Sequence, residues 1–331
     1  MTVPTRLPAN TSRKAARTPD FFIVGHPKSG TTALYEMLRR HPQIYMPELK
    51  ETRFFAPELH PRTLELASHP RTLAEYLALF AAAGPDQRAG EASPSYLRSR
   101  DAARRIAELQ PDARIIAILR EPASFIRSLH LELLQDHVET ERDLRKAMSP
   151  NRHTRTSRES RDLSDSPAQR EARYSLERVE YVAQLRRYHA VFPSAQILVL
   201  VYDDFRADNK ATLRRVLDFL DVDDSLAIAP IDANPTVQVR SVKLYAGVRS
   251  LYLGQGRVAR TVKRAIKTLT PRKLRHGGLT ALRRRVLYAR PAAADEDLML
   301  ELRRRFHGEV VALSEYLGRD LVAEWGYDSI D

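Results

Sequence analysis

Residues 21–38 read FFIVGHPKSGTTALYEML, and this stretch restricts the fold more than any other. The run from Phe21 to Val24 is short, apolar and bounded by Gly25, the pattern of a buried strand. From Thr32 to Arg40, Leu34, Met37 and Leu38 fall at helical spacing, and His41-Pro42 stops the helix. A strand that turns directly into a helix through a glycine-bounded loop is the opening of a βαβ unit. Gly25 and Gly30 stand at the spacing of a phosphate-binding loop. The lysine, however, precedes the second glycine as Lys28, whereas a nucleotide-triphosphate loop carries it directly afterwards.

The same alternation continues. Leu73 to Ala83 reads as a helix ended by Gly84-Pro85. RDAARRIAELQP, from Arg100, reads as a helix with Ala103, Ile106, Ala107 and Leu109 inward. Ile115 to Leu119 is β-branched and apolar, a second strand, and Pro122 then opens a helix through Phe125, Ile126, Leu129 and Leu133. Residues 149–172 are polar and charged without periodicity, which predicts a mobile loop or lid. A helix from Ser175 to Phe192 leads into a third strand, Ile197 to Val201, and NKATLRRVLDFLDV is another amphipathic helix. Strands alternating with helices predict an α/β fold, a P-loop-like three-layer arrangement with a central, mostly parallel sheet flanked by helices. Ligands of such sheets sit at the carboxyl ends of the strands, so Gly25 to Thr32, Arg120 to Ser128 and Tyr202 to Asp204 are expected around one site. The organisation reads as a basic arm over residues 1–19 and one domain over 20–331.

Composition narrows the partners. The chain lacks cysteine, which removes disulfides and thiolate chemistry and fits a reducing cytoplasm. No apolar run approaches the roughly 20 residues of a membrane span, and the N-terminal arm lacks the apolar core of a secretory signal. The net charge of +12 favours an anionic ligand or surface. Nucleic acid is not expected, because the arginines are dispersed without the interleaved aromatics of a binding module.

The loop HPKSGTT fits an anion. Its backbone amides would converge where strand becomes helix, Ser29, Thr31 and Thr32 add hydroxyls, and Lys28 adds a charge. Gly30 supplies a turn dihedral. A Mg²⁺-dependent kinase also wants a strand-end carboxylate, which Asp203 and Asp204 could provide. The second strand ends instead in Arg120, a cation suited to a second fixed anion. No His, Cys and Asp spacing resembles a metal site, and none is expected.

These segments carry a resemblance. PKSGTT after an apolar strand resembles the 5′-phosphosulfate loop of sulfotransferases that use 3′-phosphoadenosine 5′-phosphosulfate (PAPS). RIIAILREPASFIRSL resembles their 3′-phosphate segment, with Arg120 and Ser128 at the matching positions. KETRFF, EASPSYL, YSLERVEYVAQLRRYHAVFP and LGRDLVAEW extend the similarity along most of the chain, closer to the carbohydrate and bacterial branch than to the small-phenol branch. The resemblance implies metal-independent, in-line transfer of a sulfuryl group to the hydroxyl of a carbohydrate, glycolipid or secondary metabolite. It implies that Lys28 neutralises the leaving phosphate and that Ser29, Gly30, Thr31 and Thr32 hold the 5′ side. Arg120 and Ser128 would hold the 3′-phosphate, and Glu51 would be the base.

Departures from the family pattern stand at Arg53, Ala56 and Ala92, where relatives often have His, an acid and Lys. They leave the acceptor contacts open, and Arg53 could hold an acidic group of the acceptor instead. Arg240 and Lys243, in NPTVQVRSVKL, match a basic loop that relatives bring over the nucleotide. Residues 254–290 form a basic segment read as helical. Its stripe of Val258, Val262, Ile266 and Leu269 serves either the core or docking to an anionic membrane surface. His130 and His137 read as exposed helix positions, and Glu132 and Glu139 as solvated ones.

Overall fold

The computed structural model describes residues 17–59, 69–136, 138–149, 173–225, 228, 238–239, 288–289 and 293–330. The expectations for residues 1–16, for 150–172, for 254–287, and for His137, Arg240 and Lys243 lie outside them. In chain order the strands are β1 (Phe21–Gly25), β2 (Ile44–Tyr45), β3 (Arg88–Ala92), β4 (Arg114–Leu119), β5 (Ile197–Val201), β6 (Gln238–Val239) and β7 (Tyr288–Ala289). The helices begin with α1 (Thr31–Leu38), α2 (Leu73–Ala78), α3 (Ala102–Leu109), α4 (Pro122–Gln135) and α5 (Leu144–Met148). They continue with α6 (Tyr181–His189), α7 (Tyr202–Ala207), α8 (Asn209–Phe219), α9 (Glu296–Leu317) and α10 (Leu321–Glu324). The chain divides into two compact units. One draws on Met1–His26, Leu34–Ile118 and Arg186–Ile231, the other on Pro27–Ala33, Leu119–Leu185 and Asp232–Asp331.

The first unit is built on a five-stranded sheet in the order β2-β3-β1-β4-β5. β1 pairs in parallel with β3 on one side and β4 on the other, and β2 pairs in parallel with β3. Every residue of β1 is buried, as a strand covered on both faces requires, which is why FFIV needs no polar alternation. Gly25 allows a close approach: a Cβ there would lie 2.5 Å from the Leu97 side chain. The chain after β3 is tied to β1 by Ser93 N donating to Ile23 O and Leu97 N to Val24 O. This α/β arrangement is the one read from the alternation of strands and helices.

The sequence reading contains neither β2 nor β3, and three of the elements it does contain differ in detail. α2, opened by a Thr72–Glu75 capping box, ends at Ala78 rather than Ala83. The chain beyond tightens into i→i−3 turns, with Phe80 N on Leu77 O and Ala83 N on Phe80 O. The helix expected from Ser175 begins as a 3₁₀ turn at Leu176–Arg178 and restarts as α6 at Tyr181. Gln184 Nε2 takes the carbonyls of Glu177 and Arg178, removing them as helical acceptors. Tyr202 to Asp204 do not extend β5 but form the first turn of α7.

In the second unit α4 packs against α9. Glu121 caps α4 by accepting from Ala123 N and Ser124 N, and Pro122 takes the first helical position. The same carboxylate receives the hydroxyl of Tyr327. LGRDLVAEW resolves into helix signals: Gly318 ends α9 in the left-handed conformation, and Asp320 caps α10. Of residues 254–290, Tyr288–Ala289 is described, as a strand antiparallel to Gln238–Val239.

Candidate active site

The loop that follows β1 belongs to the second unit. Lys28 and Gly30 both have positive φ, 60° and 83°, so the backbone curls and reverses around Ser29. Left-handed residues at alternate positions are the backbone pattern of an anion nest, and this one runs into Thr31, where α1 begins. Glycine adopts this conformation without cost, but lysine does not, so its surroundings must enforce it. Arg120, the residue after β4, supplies one constraint by donating from Nη1 to the Lys28 carbonyl at 2.7 Å. Arg120 is tethered in turn, since Tyr181 donates its hydroxyl to the Arg120 carbonyl at 2.9 Å. The two cations read from separate segments therefore meet on one loop.

Lys28 Nζ lies 3.5 Å from Glu132 Oε1 on α4, so the carboxylate read as solvated pairs with the loop lysine. Ser128, one turn earlier on α4, is 1% exposed, and its Oγ is buried without a hydrogen-bond partner among the described residues. Ser29 and Thr31 are buried, and Ser29 Oγ donates to Pro27 O at 3.3 Å.

Two side chains near the end of α4 also differ from the sequence reading. His130 is buried, with Nδ1 on the Tyr174 hydroxyl at 2.8 Å and Nε2 on Arg142 O at 3.1 Å. Glu139 is buried as well, because Thr140 N, Glu141 N and the Arg173 guanidinium satisfy its carboxylate. Both satisfy packing and hydrogen bonding where the sequence pattern suggested solvent.

Glu51 lies in the first unit. Lys50 Nζ sits 2.7 Å from Glu51 Oε1 and Arg53 Nη2 sits 3.1 Å from Oε2. Burial pushes the Glu51 carboxyl up, but Lys50 and then Arg53 outweigh it and hold the group below the ordinary carboxylate range. Glu51 and Arg53 have φ of 62° and 53°. Among the described residues four non-glycines have positive φ, and Lys28, Glu51 and Arg53 are three of them. Backbone strain of this kind clusters at active sites, ligand clamps and switch regions. Phe54 and Phe55 anchor the segment from behind, Phe54 stacked on Tyr76 at 4.6 Å and Phe55 edge-on to Phe22, Tyr76 and Tyr96.

One residue that the sequence reading left without a role is Glu91, a carboxylate between Gly90 and Ala92 in the strand RAGEA. It is fully buried, which pushes its carboxyl up, against hydrogen bonds from Ser93, Tyr76, Thr52 and Tyr96. The sequence signal was a charged residue where a strand should be apolar. Among the described residues no three His, Asp or Glu cluster at metal-binding distance, and no helix is long and apolar enough to cross a membrane.

A family model described as the sulfotransferase domain matches residues 18–234, well over half of the chain. The chain belongs to the sulfotransferase family. The matched region of this sulfotransferase includes Lys28, Glu51, Arg120 and Ser128 and stops before Arg240 and Lys243. It is 34% identical over 118 residues to human heparan sulfate glucosamine 3-O-sulfotransferase 6, covering 36% of this chain and 31% of that one. It is 28% identical over 203 residues to mouse heparan sulfate glucosamine 3-O-sulfotransferase 3B1, covering 61% of this chain and 46% of that one. The chain thus spans less than half the length of these curated relatives. The sulfotransferase from Alicyclobacillus acidocaldarius has the same fold, with a TM-score of 0.64, 24% identity and coverage of 93% of this chain and 98% of that one.

Proposed function

We propose that this sulfotransferase moves a sulfuryl group from PAPS to the hydroxyl of a carbohydrate, glycolipid or secondary-metabolite acceptor. The observation that carries the reading is the convergence of Lys28 and Arg120 on one anion-shaped loop. The buried, unpartnered Ser128 hydroxyl supports it, because such a group is costly unless a ligand completes it. Arg120 and Ser128 hold the 3′-phosphate, a fixed fork and a hydroxyl suiting a dianion. The amides from Ser29 to Thr32 hold the 5′-phosphate. When bound, PAPS supplies the activated sulfuryl group, and the chain supplies the rest. Lys28 exchanges Glu132 for the donor and neutralises charge building on the leaving phosphate. Glu51, kept ionised by Lys50 and Arg53, takes the acceptor proton. The relatives named for heparan sulfate make a sugar hydroxyl the first acceptor to try. The reading also takes the transfer as metal-independent and the protein as cytoplasmic.

The test is transfer from labelled PAPS to a panel holding a heparan oligosaccharide, a glycolipid, an aliphatic alcohol and a phenol, with and without EDTA. Label transfer that survives EDTA is expected. Transfer from ATP alone, abolished by EDTA, would instead make the chain a kinase. Failure of 3′-phosphoadenosine 5′-phosphate (PAP) to raise the melting temperature would leave only a basic binding protein.

A further inference from the structure

Glu91 has an environment that its place in a strand does not explain. Its two oxygens lie within reach of four hydroxyls: Thr52 Oγ1 at 2.8 Å and Ser93 Oγ at 2.6 Å on Oε1, Tyr76 OH at 2.7 Å and Tyr96 OH at 3.2 Å on Oε2. Among the described residues no cation pairs with it, and only hydroxyl hydrogen bonds oppose its burial. A carboxylate accepts and never donates, so four hydroxyl donors fill its capacity. Burying a carboxylate this way is expensive, and a neutral side chain would pack the strand more cheaply.

Each hydroxyl owns a single proton. Directed to Glu91, that proton leaves the oxygen's lone pairs facing outward, where the Thr52 and Tyr96 hydroxyls also meet each other at 3.1 Å and three of the four receive backbone amides of one segment. Arg53 N donates to Ser93 Oγ at 3.1 Å, Phe54 N to Thr52 Oγ1 at 3.3 Å and Phe55 N to Tyr96 OH at 3.3 Å. Glu51 N is held next to Glu91, on Ala92 O at 2.9 Å. This segment is the one whose Glu51 and Arg53 adopt left-handed φ on either side of Thr52, a conformation that persists only when its surroundings over-determine it.

We propose that Glu91 is a positioning residue for Glu51: its carboxylate fixes the direction of the Thr52, Ser93 and Tyr96 hydroxyls, and these hold the 51–55 backbone that sets Glu51 between Lys50 and Arg53. The proposal rests on Glu51 as the base. Glu91→Gln keeps the shape but must donate on one side. The hydroxyls there would then accept, and their own protons would turn toward amides that already donate. The segment loses its acceptors and Glu51 its fixed partners.

The experiment follows the Glu51 carboxyl by ¹³C NMR in the full chain labelled at glutamate Cδ, with Glu51→Gln assigning the signal. The charged and titratable groups facing this segment include Lys50, Arg53, the buried Glu91, Tyr76 and Tyr96, and His69, whose Nε2 meets the Glu51 carbonyl at 3.2 Å. In the wild type the midpoint is expected below the ordinary glutamate range. It should rise toward that range in Glu91→Gln and in Thr52→Val, and stay in place in Thr52→Ser, which keeps the hydroxyl. PAP affinity, read by calorimetry, should stay unchanged in all three. A midpoint unmoved in a folded Glu91→Gln overturns the proposal. If Glu91→Gln does not fold, equal midpoints in Thr52→Val and Thr52→Ser overturn it. Retained sulfuryl transfer in Glu51→Gln would remove the base and leave the positioning network intact, so the two failures remain distinct.

Discussion

Lys28 and Ser128 make opposite demands on the folded chain, and their substitutions separate function from stability. Lys28 occupies a left-handed conformation that costs about 1 kcal/mol or more for a residue with a Cβ. Its ammonium faces a half-exposed carboxylate, a pair worth about 0–1 kcal/mol. The fold gains little from it. Lys28→Ala is therefore expected to melt within a few degrees of wild type while transfer falls by about 10²–10³, the effect of removing a charge-stabilising group. Among the described residues the buried Ser128 Oγ has no partner, and an unsatisfied hydroxyl costs about 1–3 kcal/mol. Ser128→Ala should raise the melting temperature of the ligand-free protein and weaken PAP about tenfold, as expected on losing a hydrogen bond to a charged group. Calorimetry and melting on one preparation read both signs. A destabilised Ser128→Ala with unchanged PAP affinity would make the serine a packing residue.

At the scale of elements, β1, β4, α4 and β5 were legible because each is an uninterrupted apolar or capped pattern. α6 was not, because Gln184 competes for carbonyls that sequence periodicity assigns to the helix. The loop residues were read from chemistry and order, yet their left-handed dihedrals carry no pattern in the sequence. Glu132 and Glu139 were misread because helical spacing gives a direction but not the neighbour on another segment: Lys28 for one, Arg173 for the other.

The pairing of α4 with the loop gives its own prediction. Glu132→Gln removes a competitor for Lys28, so PAPS should bind up to about fivefold tighter, the limit set by an exposed ion pair. Weaker binding in a calorimetric titration would show that Glu132 holds the lysine in place for the donor instead.

The Glu51 segment makes a pH prediction of definite sign. Its carboxyl is depressed by Lys50 and Arg53, so their stabilisation is present above the unfolded glutamate value and is lost as pH falls through the lower folded one. The acid limb of transfer set by Glu51 is therefore expected below about pH 4.3, the ordinary glutamate value. Arg53→Met should move that limb upward. Glu91 has the reverse sign, raised by burial. Between the ordinary value and its own, it binds a proton more tightly folded than unfolded, and this window adds stability as pH falls. A pH series of melting temperatures on wild type and Glu91→Gln should show the difference vanish below the ordinary glutamate range.

At the scale of the whole molecule, the net charge of +12 and the proposed donor site act together. A nucleotide with two separate anionic groups is drawn by the long-range field, which salt screens over about 10 Å at 0.1 M. At the proposed site Arg120 and Ser128 would then hold it at close range, where screening is weaker. PAP at a hundred times its dissociation constant adds about 2.7 kcal/mol to the folded state, enough to raise the melting temperature by several degrees. PAP carries both phosphates of the donor, including the 5′-phosphate whose charge Lys28 would neutralise, and lacks only the sulfuryl group. Arg120→Ala should therefore lose most of the PAP-induced rise, Ser128→Ala about half of it, the share that a tenfold weaker affinity removes at that concentration, and Lys28→Ala a part of it together with transfer. A PAP-induced rise unchanged in Lys28→Ala would show that Lys28 does not meet the 5′-phosphate and would move charge neutralisation to another cation. Raising salt from 0.05 to 0.5 M in the same melts, concentrations chosen to span the screening range, should lower PAP affinity in every variant, because the steering field belongs to the chain and not to any one of these residues.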